Sequence, residues 1–183
     1  MPAHLNATAA SLLGFLHRGP MTGWDLMATA QSTIGDFWTL TQSQVYRELA
    51  AMAGAGLIEQ GEKGVRDRKP YTITDSGREA FAAWIDREPG AETIRFPLLL
   101  TVAFGSHLPG ERLASFLTSQ RVVHERRLAG YEQHRAAVDA EPLGMDAFAL
   151  ATLEFGLAYE RAVLAWFDGL PTQLTGPERQ ASA

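Results

Sequence analysis

The order of apolar and polar positions divides this chain into a mixed first half and a helical second half. Leu5, Ala9, Leu12, Leu13 and Leu16 recur at helical spacing and predict a helix over 8–18, stopped by Gly19-Pro20. Thr22, with Asp25 three residues on, marks the start of a second helix that carries Trp24, Leu26 and Met27 and fades near Ser32. Residues 33–40 form a connection whose two large aromatics, Phe37 and Trp38, are expected to pack down as core. Thr41 and Gln44 have the spacing of a capping box. Val45, Leu49, Met52 and Ala53 then form the buried stripe of a third helix, ended by Gly54 and Gly56. Residues 57–60 and 71–74 read as paired strands, joined by a glycine-bearing loop too long for a tight hairpin. Asp75 or Ser76 is expected to cap a fourth helix carrying Ala80, Phe81, Trp84 and Ile85.

Beyond Pro89-Gly90 the pattern is helical throughout. A short apolar segment spans 96–107. A long helix starts at Pro109 or Gly110, reaches towards Val138 and is broken at Pro142-Leu143-Gly144. In the last helix, 145–170, Phe148, Leu153, Phe155, Leu157, Val163, Leu164, Trp166 and Phe167 occupy much of the circumference. One small helical domain cannot bury all of that, so a partner surface is expected. The fold class is mainly α with a small β-wing. The expected domains are 1–88, a winged helix-turn-helix; 89–94, a linker; 95–170, a helical dimerisation and effector domain; and 171–183, a frayed tail.

The order helix, strand, cationic turn, strand, helix is that of a winged helix-turn-helix, a module that holds duplex DNA. Side chains near the start of the inserted helix reach base edges. Gln42 and Gln44 offer amides there, Ser43 and Tyr46 hydroxyls, and Arg47 a guanidinium. Gln44 serves at least as well as a cap, and packing against the wing strands is the competing role for Tyr46. Lys63, Arg66, Arg68 and Lys69, with Asp67 among them, form a cationic wing tip suited to phosphates or the minor groove. The net charge of −5 runs against the usual basic balance of nucleic-acid binders. Screening confines each charge to roughly 10 Å, so an acidic body can still present a local cationic edge.

Other functions find no constellation. The chain has no cysteine, which removes disulfides, thiolate metal sites and cysteine nucleophiles. His4, His17, His107, His124 and His134 form no HExxH pattern and read as surface or interface residues. There is no phosphate loop, no nucleophile elbow and no dinucleotide fingerprint. No enzymatic activity, cofactor or metal is therefore expected. Glu154, Glu160 and Arg161 interrupt the most apolar segment, which argues against a membrane span, and the N-terminus reads as a structural helix instead of a signal peptide. A cytoplasmic location follows as the default. Six aromatics, Phe37, Trp38, Trp84, Phe96, Trp166 and Phe167, fall near the expected domain junction and are candidates for a small-molecule pocket. The competing class is a winged helix that binds protein and not DNA.

Four segments resemble the PadR family of transcriptional regulators: LLGFLHRGPMTGWDL, SQVYRELAAMAGAGLIE, RKPYTITDSGREAFAAWI and RFPLLLTVAFG. Trp24 stands where the family more often has tyrosine. The resemblance spans nearly the whole chain. It implies an N-terminal winged helix, a C-terminal dimerisation region and a homodimeric repressor that binds an inverted-repeat operator. It also implies a response to small aromatic or lipophilic compounds, or to partner signals. On the recognition helix it points to Gln42, Ser43, Tyr46 and Arg47, with the wing cations beside them.

Overall fold

The computed structural model describes residues 5–35, 37–62, 69–91, 94–140 and 146–175. The chain separates into two units, Met1–Ala91 and Glu92–Ala183. In the first, Asn6 caps α1 (Ala7–Leu16) by accepting the Ala9 N–H at 2.9 Å. A two-residue strand, β1 (Met21–Thr22), leads into α2 (Gly23–Ile34). The connection then delivers α3 (Gln42–Gly54), β2 (Ile58–Gln60), β3 (Pro70–Ile73) and α4 (Asp75–Ile85). The capping boxes expected at Thr22–Asp25 and Thr41–Gln44 are both present. Each fixes where its helix starts, because two otherwise orphaned backbone N–H groups find acceptors there.

The strands form an antiparallel sheet in the order β1-β3-β2, with Ile58 opposite Ile73 and Gln60 opposite Tyr71. The pattern of the chain did not reveal β1. Two residues are too few to show alternation, and its pairing with β3 depends on the folded course of the chain. The cap of α4 is Thr74, not Asp75 or Ser76. The Thr74 hydroxyl accepts the Gly77 N–H at 3.1 Å and donates to the Gly56 carbonyl at 2.7 Å.

Leu12, Leu13, Leu16, Leu26, Val45, Leu49 and Ile58 are fully enclosed and form the centre of the first core. Each such side chain contributes about 1.5–3 kcal/mol of burial. Gly56 ends α3 at φ 72°, a left-handed position. Leu57 N–H returns to Met52 C=O at 2.9 Å and Gly56 N–H to Ala53 C=O at 3.1 Å. That is a Schellman closure, and it turns the chain directly into β2.

In the second unit Pro97 opens α5 (Pro97–Ala103), followed by a single tight turn, Gly105–His107. The long α6 (Gly110–Ala140) packs along α7 (Ala147–Asp168), which Asp146 caps. Tyr131 of α6 lies so close to α7 that a Cβ on Gly156 would stand 2.6 Å from its ring. Exposed ion pairs edge the same contact: Arg121–Asp168 at 2.7 Å, Arg135–Glu154 at 2.7 Å and Arg161–Glu132 at 3.3 Å. Hydrogen bonds to Asp168 and Glu125 raise the pKa of Arg121, and those to Glu154 and Asp139 raise that of Arg135. Pro171 does not begin a frayed tail, and residues 176–183 of the expected tail lie outside the described residues. Pro171 precedes one more helical turn, α8 (Thr172–Thr175), whose Leu174 packs on the cluster of Leu98, Leu113, Leu117, Val163 and Phe167.

His124 departs from the expected surface or interface role and is buried within the chain. It is 3% exposed, and its Nδ1 lies 2.5 Å from Glu160 Oε2, itself on a residue 2% exposed. Phe96 and Phe167 flank the imidazole with ring centroids at 5.7 and 6.0 Å. A buried carboxylate needs a partner, and α6 brings His124 to it. Among the described residues, no helix is long and apolar enough to cross a membrane.

Candidate nucleic-acid interface

α3 turns Val45, Leu49 and Met52 inward and leaves Gln42, Ser43, Tyr46 and Arg47 exposed on its first two turns. Gln44 is drawn aside. Its Oε1 accepts from the Thr41 N–H and from the Thr41 hydroxyl, each at 2.9 Å, so this oxygen is committed to starting the helix.

Arg47 is held from one side. Its Nε and Nη2 lie 3.3 and 3.0 Å from Glu48 Oε1, while Glu48 Oε2 accepts from Asn6 Nδ2 at 3.1 Å. Glu48 is 8% exposed, a nearly buried carboxylate at the crossing of α1 and α3. Sequence reading passed over it, although a charged residue one turn after Val45 on the buried stripe was a visible sign. The guanidinium itself remains in solvent, where such a pair is worth only about 0–1 kcal/mol. A phosphate or base edge can therefore compete for it.

Tyr46 lies across the first turn of α2. A Cβ on Gly23 would stand 2.7 Å from its ring, so only glycine lets the ring settle there. Of the wing cations, Lys69 is at the base of the loop and its Nζ donates to Gln60 Oε1 at 3.3 Å. Lys63, Arg66 and Arg68 lie outside the described residues. Tyr46 and Lys69 border one concavity of about 210 Å³ that Trp24, Gln60 and Tyr71 also line. The face of α3 and the base of the wing thus meet at one place. Sequence reading missed Gln60 and Tyr71 as members of this site, since only the β2–β3 register sets them side by side.

The transcriptional regulator PadR-like family matches residues 12–83, the stretch that contains α3 and both wing strands. Residues 12–83 belong to the PadR-like family of transcriptional regulators. A second family, described as virulence activator alpha C-term, matches residues 94–175 of this PadR-like chain. The negative transcriptional regulator PadR of Bacillus subtilis is 28% identical over 173 residues, covering 87% of this chain and 93% of that protein. The structure of Bacillus subtilis PadR in complex with operator DNA is similar at a TM-score of 0.73 and 24% identity, over 89% of this chain and 96% of the other. The structure of the same regulator in complex with p-coumaric acid gives 0.68 and 23%, over 94% and 99%. These likenesses agree with the mainly helical fold and small wing.

The six aromatics considered for a ligand fall into two groups in this PadR-like chain. Phe37, Trp38 and Trp84 line an apolar cavity of about 360 Å³ in the first unit, with Phe15, Phe81 and Ile85 around them. Phe37 and Trp38 are exposed there, which corrects the expectation that they pack down as core. Phe96, Trp166 and Phe167 gather beside His124 in the second unit, with Trp166 and Phe167 centroids 4.8 Å apart.

Proposed function

We propose that this chain is a sequence-specific repressor that binds double-stranded DNA as a homodimer and is relieved by a small apolar or aromatic ligand. One observation carries the DNA reading. Gln42, Ser43, Tyr46 and Arg47 stand exposed at the start of α3, and Tyr46 shares a concavity with Lys69 at the base of the wing. A helix start and a cationic strand end on one face suit a major groove and its flanking phosphates. In this reading Gln42, Ser43 and Arg47 meet base edges, and Gln44 sets the helix start. Lys69, with Lys63, Arg66 and Arg68, meets the backbone. Residues 1–88 bind DNA, 89–94 link, and 95–170 dimerise. The complex of the Bacillus subtilis relative with operator DNA supports the assignment.

The ligand part rests on the apolar cavity at Phe37, Trp38 and Trp84, a lining typical of small-molecule sites. The relative's complex with p-coumaric acid supports it. Relief requires that the ligand prefer the DNA-free shape, not merely that it bind.

The test is selection of duplexes from a random pool by the full chain, followed by affinity measurements on the enriched sequence with and without small phenols. Enrichment of one inverted repeat is expected, with affinity lowered by a phenol that also perturbs tryptophan fluorescence. Failure to enrich any sequence defeats the DNA reading. Phenols that bind but leave operator affinity unchanged defeat the ligand reading alone.

A further inference from the structure

The concavity beside Tyr46 gathers hydrogen-bond donors. Gln60 Nε2 donates to the Tyr71 hydroxyl oxygen at 3.0 Å, and Lys69 Nζ donates to Gln60 Oε1 at 3.3 Å. Both ends of the Gln60 amide are thus engaged. A phenol whose oxygen accepts still has its own proton to give. The Tyr71 proton finds no acceptor among the described residues, and neither does that of Tyr46. Lys69 keeps two further N–H groups beyond the one used. None of the residues lining the concavity carries a carboxylate. Two phenolic protons and an ammonium around one hollow describe a site for an anion with several acceptor oxygens.

The rim narrows the choice of anion. Trp24 is 60% exposed at the edge of this hollow. An indole face beside the donors adds an apolar platform that inorganic phosphate alone would not use. A phosphodiester with its sugar uses both. Gly23 completes the construction, because any larger residue there would drive the Tyr46 ring out of place.

We infer that Tyr46, Lys69 and Tyr71 grip one phosphate of the DNA backbone, with Trp24 against the adjoining deoxyribose and Gln60 holding Lys69 and Tyr71 in register. The inference rests on the DNA reading above and adds a site that fixes the depth and angle at which α3 enters the groove. Such contacts position without selecting sequence.

The experiment is a methylphosphonate scan. The duplex enriched by the wild-type chain is made with one backbone phosphate neutralised at a time, and affinities are compared for wild type, Tyr71→Phe and Lys69→Met. Both substitutions keep most of the side-chain volume, and thermal melting of each variant checks the fold. The expected result is one position per half-site where neutralisation weakens wild type about tenfold, the size of one hydrogen bond to a charged group. At that position the variants, already weaker, lose little more. Trp24→Ala should weaken binding without altering the enriched sequence. Scans with the same profile in all three proteins overturn the site while leaving the DNA reading intact. No duplex binding by wild type overturns the DNA reading itself. Tyr71 and Tyr46 ring resonances that respond to inorganic phosphate, with no position-specific methylphosphonate effect, would assign the hollow to a free anion and overturn the backbone assignment.

Discussion

At the scale of single residues, the pairing of Arg47 with Glu48 decides how much of the recognition-helix charge is offered outward. Glu48 is fixed by Asn6 and cannot follow Arg47 into a groove. It therefore competes with DNA for the guanidinium. Glu48→Gln preserves shape and an oxygen for Asn6 while removing the competing charge. The expected outcome is tighter binding to random duplex, with the magnitude of the log K versus log salt slope increased by up to about 0.9 if Arg47 takes a phosphate. Fluorescence anisotropy across a salt series measures it. Unchanged affinity and slope would mean that Arg47 already reaches the DNA while paired. Arg47→Ala acts in the other direction. It should cost about 1–3 kcal/mol on the enriched sequence and relax one base position if the guanidinium pairs with guanine.

Among elements, the tightest junction is where α4 begins against the turn that leaves α3. A Cβ at Gly77 would come within 2.1 Å of the Leu57 carbonyl oxygen. Backbone cannot yield as a flexible side chain does, so Gly77→Ala should destabilise the first unit by at least about 1–3 kcal/mol. A fall in thermal midpoint checks this, and an unchanged midpoint would refute the close approach. In the second unit His124→Leu leaves Glu160 without its short partner. A loss of about 1–3 kcal/mol is expected, read from the denaturant midpoint. Adding Glu160→Met should restore a good part, since an apolar pair of similar shape carries no unmet polar group.

The same elements mark where sequence was readable. Capping boxes are legible because donor and acceptor lie three residues apart. So is the stripe Val45, Leu49 and Met52, because helix period alone generates it. The cap at Thr74 was hidden by its place in a strand-like alternation. The contact of His124 with Glu160 spans 36 residues and exists only once α6 lies along α7. Glu160 in the apolar run of α7 did announce that some partner was needed, but nothing local named it. The grouping of Gln60 and Tyr71 was likewise invisible until the register of β2 and β3 was fixed.

For the whole molecule, the second unit leaves much apolar surface in water. Phe148 is 82% exposed and Phe155 60%, with Leu99, Leu100 and Phe104 also uncovered. Exposure on that scale is what a subunit interface shows when described alone. Light scattering at micromolar concentration should give twice the chain mass. Phe148→Asp together with Phe155→Asp should shift it towards one chain and weaken operator binding. A twofold dimer presents its recognition helices to half-sites roughly 34–36 Å apart, so the enriched sequence should have a dyad. A monomeric wild type or a sequence without a dyad would refute this.

The Thr74 hydroxyl has a kinetic consequence. One oxygen atom closes the first turn of α4 and also fastens the carbonyl at the left-handed end of α3. Neither end can loosen without freeing the other. Fraying of α4 and unwinding of the α3 exit are thus a single opening event. Amide protons of Leu57, Thr74 and Gly77 should exchange with deuterium at one common protection factor, despite lying in a turn, a strand end and a helix start. In Thr74→Val that shared rate should split into separate, faster ones. The stem of the wing would then breathe independently of the helix behind it.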